Sequence, residues 1–347
     1  MRQTLFYIPD TVFGIPLFGW GAGLGLLLAI VAISHFYQYV RHRKISDIGG
    51  SIALLAIGGI MLVFILPKLA EPGHGVPIRG YGCALLLAIL SASGLVIHLA
   101  KRQNIPAEQA VSLCFWTIIS GIIGARLFFV TEYWNETLCF ENGDILLLDS
   151  LFNVFNFAQG GLTVFGSILG GILGALIFMY RNKMPILRTF DILSPAQMLG
   201  SAIGRIGCLL NGCCFGGVTE SAWGIVFPIG SPAHYYQCTH GLISPEELPL
   251  PVHPTQIYSS CLALLLCVTL LVLGRFRFYQ QRSGLVFATF MILYSAGRFL
   301  IEFVRTDEDS FFGTGLTISQ NVSILFFLTG IILFAYLYWK KRTLQAA

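Results

Sequence analysis

The sequence predicts an all-α, polytopic integral membrane protein of about nine transmembrane helices, with its N-terminus outside and its C-terminus in the cytoplasm. Three observations carry that expectation. Hydrophobic residues fill 55% of the 347 positions and charged residues only 11%, against roughly 25% charged in an ordinary soluble domain. Apolar runs long enough to cross about 30 Å of hydrocarbon as helices recur at 14–36, 51–68, 81–100, 109–130, 161–180, 191–210, 256–274, 284–304 and 318–339. Lys and Arg then fall in alternate connections. One side carries Arg41, Arg43, Lys44, Lys101, Arg102, Arg181, Lys183, Arg188, Arg275, Arg277, Arg282, Lys340, Lys341 and Arg342, and the other only Arg2, Lys68, Arg79 and Arg305. The positive-inside rule orients the chain from that asymmetry.

The first run follows a polar dozen that lacks a basic n-region and a small-residue cleavage site, so it reads as a retained helix rather than a signal peptide. "AEPGHGVPIRG" at 70–80 is a Pro/Gly joint. We take it as the boundary between an N-terminal extension with two transmembrane helices, residues 1–70, and a seven-helix core, residues 71–347. Two long outer connections follow. Residues 131–160 hold five acids and no Lys or Arg, with a hydrophobic patch from Ile145–Leu148 to Phe157 and Tyr133 and Trp134 as interfacial anchors. Residues 211–254 also lack Lys and Arg and are rich in Pro, Gly, His and Tyr. Gly166, Gly170 and Gly174 in the fifth run make one smooth stripe at helical spacing, which lets another backbone come close. Gly160 and Gly161 sit at that run's outer mouth, open to a ligand.

Arg126, Arg205 and Arg298 fall within the apolar runs or at their ends. Each costs about 2.5–3.5 kcal/mol at a helix centre, so such residues face a polar cavity or a partner. A structural ion pair or snorkelling accounts for a single one. All three lie near the C-terminal ends of helices that run from inside to outside, which puts them at similar depth, toward the outer leaflet. In "GRFLIEFVRTDED", Arg298, Glu302 and Arg305 share one face at i, i+4 and i+7. Two guanidiniums around one carboxylate leave net positive charge, and guanidinium forks suit phosphate. The expected site is for a phospholipid head group near the outer surface. "HPTQIYSS" opens the seventh run on the same side, clustering His253, Gln256 and Tyr258 at the lipid–water boundary.

Nine cysteines do not make a disulfide scaffold in a chain this long. Cys83, Cys114, Cys261 and Cys267 read as small apolar residues in spans. Cys139, Cys208, Cys213, Cys214 and Cys238 lie toward the outer half, where an oxidising periplasm permits a bridge from Cys213 or Cys214 to Cys238. No CxxC pair or His-rich spacing points to a metal, so neither metal nor cofactor is expected.

These motifs, in order, resemble the prolipoprotein diacylglyceryl transferases. The resemblance spans roughly residues 77–340 and runs through "IRGYG" (78–82), "GAR" (124–126), "GGLTVFG" (160–166), "GRIGCLLNGCCFG" (204–216), "HPTQIY" (253–258) and "RFLIEFVR" (298–305). It implies transfer of the diacylglyceryl group of phosphatidylglycerol to the lipobox cysteine of a prolipoprotein. The partners it implies are that phospholipid, prolipoprotein signal peptides and membrane lipids, without nucleic acid. Charge builds on the leaving phosphate as the thiolate attacks, so Arg205 and Arg298 are expected to stabilise the transition state. Glu302 orients Arg298, and Tyr81 positions substrate or relays a proton. Asn211, Gly216, Arg126 and His253 are expected to bind substrate, as are Gln256, Arg305, Gly160 and Gly161. Three positions depart from the family pattern: Phe165 stands where a histidine is found, and Cys208 and Cys213 stand where Asn and Glu are found. Catalysis is therefore expected to rest on arginine electrostatics rather than a dedicated histidine. A divergent or non-catalytic relative with another acceptor, or a lipid or anion transporter lined by the same arginines, is the alternative.

Overall fold

The computed structural model describes residues 4–12, 15–17, 66–71, 74–134, 161, 163–305 and 315–345, with short pieces at 23, 25–31, 58–59, 62–63, 140–141, 144–145 and 154. Seven long helices follow the seven apolar runs of the expected core. They are α1 Gly80–Arg102, α2 Ala107–Glu132, α3 Val164–Arg181, α4 Ile186–Asn211, α6 Thr255–Leu273, α7 Leu285–Glu302 and α8 Ile318–Gln345, with the short α5 Pro232–Thr239 between α4 and α6. The runs expected at 14–36 and 51–68 lie almost wholly outside the described residues, as do most of the 145–157 patch and Cys139.

Six helices among the described residues are long and apolar enough to cross a membrane: α1, α2, α3, α6, α7 and α8. Their outward faces are apolar, as Leu86, Ile123, Leu169, Leu265 and Leu325 show. The exception is α4. Its 26 residues reach about 39 Å at 1.5 Å per residue, but Thr189, Asp191, Ser194, Gln197, Ser201 and Arg205 dilute its apolar character. The reason is its position. One buried cluster joins Ile192 and Ala196 of α4 to Val96 of α1, Leu113 of α2 and Met179 of α3. A second joins Met198 and Ala202 of α4 to Leu266 and Leu270 of α6 and Phe290 of α7. A helix covered by protein on two sides is released from the demand for a lipid-compatible surface.

The chain forms two units. The first takes in Met1–Leu85, Ile206–Cys213 and Val226–Leu250. It corrects the all-α expectation to mostly helical: β1 Thr4–Ile8 pairs antiparallel with Val76–Arg79. The proline-bearing joint disfavours a helix there, and its extended backbone satisfies its hydrogen bonds on a second strand instead. The Tyr7 hydroxyl donates to Glu71 at 3.1 Å beside that ladder. In the same unit Ser231 caps α5 by accepting from the His234 amide at 3.2 Å, the usual service of a serine at a helix start. Buried Gln237 holds Leu250 by two hydrogen bonds, from its Nε2 to the carbonyl (3.1 Å) and from the Leu250 amide to its Oε1 (2.8 Å).

The second unit holds Leu86–Arg205, Cys214–Ile225 and Pro251–Ala347. In it α2 and α3 pack through the glycine stripe. A Cβ added at Gly124 would stand 2.4 Å from the Gly166 carbonyl oxygen and 2.8 Å from the Gly170 Cα, and one at Gly170 would stand 2.4 Å from the Ser120 carbonyl oxygen. The obstacles are backbone, so no rotamer change relieves them. Gly124→Val is expected to cost at least the 1–3 kcal/mol typical of roughly one overpacked site. It should lower the thermal unfolding temperature in detergent, whereas Gly94→Ala, with open space around it, leaves it in place. Equal unfolding temperatures for the two would contradict this packing.

The start of α7 is fixed from α4. Asp191 is buried, and its carboxylate accepts from the Gly284 amide at 2.6 Å and the Phe287 amide at 2.8 Å. Gly284 precedes the helix with a φ of +93°, a conformation that glycine adopts at little cost. The two bonds satisfy amides that a helix N-terminus otherwise leaves open, and the negative charge meets the positive end of the helix.

Candidate functional site

Within the second unit, a cavity is lined by Ser201 and Arg205 of α4, Ser259, Leu262 and Ala263 of α6, and Tyr294, Arg298 and Ile301 of α7. The local reason is helical spacing. Ser201 and Arg205 are one turn apart, as are Tyr294 and Arg298, so each hydroxyl shares a face with its arginine. Gly297 brings α7 against α6, since a Cβ there would meet Leu262 at 2.4 Å. That close approach holds the neighbouring Arg298 at the cavity wall. Two guanidiniums and three hydroxyls around one space form a donor-rich wall, suited to an anion's oxygens.

Arg298 is held from behind. Its Nη1 donates to Glu302 Oε2, and its Nη2 donates to the Ser319 hydroxyl at 3.0 Å. The Glu302 side chain is fully buried. Its second oxygen accepts from the Thr317 hydroxyl at 3.2 Å, and Arg305 Nε stands 3.9 Å from Oε2. Thr317 and Gln320 form a capping box at the start of α8: the Thr317 amide donates to Gln320 Oε1 at 3.1 Å, and the Gln320 amide donates to Thr317 Oγ1 at 3.2 Å. The same turn that starts α8 therefore aims Thr317 and Ser319 at the Arg298–Glu302 pair. Sequence reasoning missed Thr317, Ser319 and Gln320. The T-x-x-Q spacing of "TISQ" is the signal that marks the cap.

Arg126 serves a different place. It is buried, with its Nε donating to the Val154 carbonyl at 2.7 Å and its Nη1 to the Gly161 carbonyl at 3.0 Å, and it lies 5.2 Å from the centre of the Phe129 ring. Gly161 has a φ of +79°, and a Cβ on it would meet Arg126 Nη1 at 2.5 Å and Phe129 Cε1 at 2.7 Å. Arg126 thus holds the segment that leads into α3. Gly160 lies outside the described residues.

Gly216 and His253 meet through their backbones. The Gly216 amide donates to the His253 carbonyl, the His253 amide to the Gly217 carbonyl and the Gly217 amide to the Val304 carbonyl, each at 2.9 Å. A Cβ on Gly216 would stand 2.7 Å from the Val304 carbonyl oxygen and 2.8 Å from His253 Cβ, so glycine is required by this crossing. The Thr255 hydroxyl donates to the Cys214 carbonyl at 2.6 Å. His253 Nδ1 is 3.4 Å from the Tyr258 hydroxyl, and Gln256 is buried. Phe165, on the first turn of α3, is exposed.

In the first unit, Tyr81 lies on the first turn of α1 and is exposed. Its ring packs beside Gly207, where a Cβ would meet it at 3.3 Å. Asn211 is the last residue of α4. Among the described residues no cysteine is in a disulfide. Cys238 Sγ lies 3.6 Å from His234 Nε2 rather than on Cys213.

Fold and site together define a membrane protein that presents paired arginines from α4 and α7 to one hydroxyl-lined cavity. The profile of the family described as "Prolipoprotein diacylglyceryl transferase" matches residues 67–336, and the chain belongs to that family. A protein of Synechococcus elongatus named phosphatidylglycerol–prolipoprotein diacylglyceryl transferase is 33% identical, over 80% of this chain and 89% of its own length. One from Clostridium perfringens, with the same name and the numeral 2, is 32% identical over 75% of this chain and 91% of its own. One from Rhodopirellula baltica is 28% identical, but its match takes in 96% of this chain and 88% of its own length. That match takes in residues ahead of the family profile as well.

Proposed function

We propose that this transferase moves the diacylglyceryl group of phosphatidylglycerol to the lipobox cysteine thiol of prolipoproteins, releasing glycerol phosphate, as the first step of lipoprotein maturation. The observation that carries the reading is the pair Arg205 and Arg298 on one cavity wall, in a chain whose relatives are named for that reaction. The cysteine thiol gives up its proton, its sulfur forms a bond to the glycerol carbon, the carbon–oxygen bond to phosphate breaks, and the electron pair leaves on the phosphate oxygen, so that the proton is carried off with the released glycerol phosphate. Arginines aimed at that oxygen are stronger partners for the leaving phosphate than for the ground-state diester, which is what lowers the barrier. Glu302, braced by Thr317, orients Arg298. The attacking thiol, with an ordinary pKa of about 8.5, gains from the same positive field in its thiolate form.

By motif position, Tyr81 serves positioning or proton relay, and Asn211 donates to the lipid head group. Arg126, Gly160, Gly161, Gly216, His253, Gln256 and Arg305 support substrate binding in this reading, the first by shaping the segment ahead of α3. The chain sits in the bacterial cytoplasmic (inner) membrane as nine spans, N-terminus outside and C-terminus inside, with the active site toward the periplasmic leaflet. Residues 1–70 form an extension with two spans, and 71–347 form the seven-helix transferase core. The alternation of Lys and Arg along the loops supports this topology.

The test is direct. Protein reconstituted with phosphatidylglycerol and a lipobox peptide is expected to add one diacylglyceryl mass to the peptide. The same peptide with serine in place of the lipobox cysteine should gain none. A well-folded sample that leaves the cysteine peptide unmodified would overturn the reading in favour of a relative with another acceptor.

A further inference from the structure

Cys208 and Cys213 flank the end of α4, Ile186–Asn211, at the two positions where the chain departs from its family's Asn and Glu. The helix closes in a tight wrap. The Cys213 amide donates to the Cys208 carbonyl at 3.2 Å, the Gly212 amide donates to the same carbonyl at 2.9 Å, and Gly212 adopts a φ of +77°. Such a 6→1 turn folds its first and sixth residues back on each other. The two sulfur atoms lie within 4.8 Å, and Cys213 Sγ is 3.8 Å from the Cys208 carbonyl oxygen. A disulfide needs Cα atoms roughly 4.4–6.8 Å apart and sulfurs at about 2.05 Å. The 6→1 hydrogen bond draws the two backbones together, and rotation of the two side chains brings the sulfurs into bonding reach.

Another cysteine of this unit, Cys238, is engaged elsewhere. Cys238 Sγ lies 3.6 Å from His234 Nε2, one turn away on α5. The Gly230 amide donates to His234 Nδ1 at 3.2 Å, so in the neutral ring the proton sits on Nε2 and points to the Cys238 sulfur.

We propose that Cys208 and Cys213 form a reversible dithiol–disulfide couple at the C-terminal end of α4. In oxidation each thiol gives up a proton and an electron, and one sulfur–sulfur bond forms. A low-molecular-weight disulfide of the glutathione class takes up the two electrons and two protons and leaves as two thiols. The bond closes a loop containing Asn211 and Gly212, so the oxidised form fixes the turn that carries Asn211. Any effect of this clip on transfer rests on the function proposed above, whereas the couple itself does not.

The experiment uses the full chain in detergent micelles, equilibrated across ratios of oxidised to reduced glutathione, quenched, and labelled with light and then, after reduction, heavy maleimide. Mass spectrometry reads each cysteine. Cys208 and Cys213 are expected to lose light label together, in equal amounts and with one midpoint, and to recover it with dithiothreitol. Exposed Cys261 should keep its label. In C208S, Cys213 should stay labelled at ratios that protect it in the wild type. Independent loss at the two positions, fragments linking either to another cysteine, no loss at any ratio, or both thiols blocked by one retained zinc ion per chain would each overturn the couple. Protein that titrates as expected but fails to modify the lipobox peptide would refute the proposed function and leave the couple standing.

Discussion

Arg205→Ala is expected to lower diacylglyceryl transfer in proteoliposomes by about 10²–10³-fold or more, the scale of losing one donor aimed at a developing oxyanion. The loss should appear in the rate at saturating phosphatidylglycerol, because the interaction strengthens as charge builds on the leaving phosphate. Arg205→Lys should recover only part of it, since a point charge replaces a two-pronged fork. His253→Ala should keep most of the activity. The contribution of His253 to the structure is mainly its backbone, which pairs with Gly216 and Gly217, and alanine preserves that. A wild-type rate from the Arg205 variant, or a collapse from His253→Ala as deep as that of Arg205→Ala, would end the electrostatic mechanism.

Glu302→Ala is expected to destabilise the protein by about 3–5 kcal/mol, the cost of removing one partner from a buried ion pair. Its carboxylate is fully buried and lies between Arg298 and Arg305. Without it, two guanidiniums face each other and the Thr317 hydroxyl loses its acceptor. Thermal unfolding in detergent should show a large drop. Glu302→Gln should fall less, because an amide oxygen still accepts hydrogen bonds while the charge is lost. Thr317→Val should cost about 1 kcal/mol for its one hydrogen bond to Glu302, together with part of the α8 cap. An alanine variant as stable as the wild type would mean that Arg298 is not held by Glu302.

Much of this was legible from spacing alone. The i, i+4 arrangement of Arg298 and Glu302 already put them on one face, and the structure joins them directly. The glycine stripe of α3 implied a close helix partner without naming it. Identifying α2, with Gly124 against Gly166 and Gly170, required the fold, because a stripe records only how near a neighbour comes. Arg126 shows a limit of depth arguments. Placed with Arg205 and Arg298 by its position along a span, it spends its donors on the Val154 and Gly161 carbonyls, acceptors 28 and 35 residues away that no local pattern links to it.

Hydropathy, the placement of Lys and Arg and the short motifs are local properties of each stretch of chain, so the sequence by itself determined where the core helices run and, through the motifs, which family the chain resembles. Tertiary structure alone decided which helices meet. It made α4 a helix covered by protein on two sides and brought Arg205 to the same cavity as Arg298, 93 positions away by number in the chain. It also set the cap of α8 behind Glu302. Periodicity fixes the face a residue occupies on its own helix, but the partner of that face is chosen by packing among segments distant in sequence, where the free energy belongs to the pair rather than to either strip of residues.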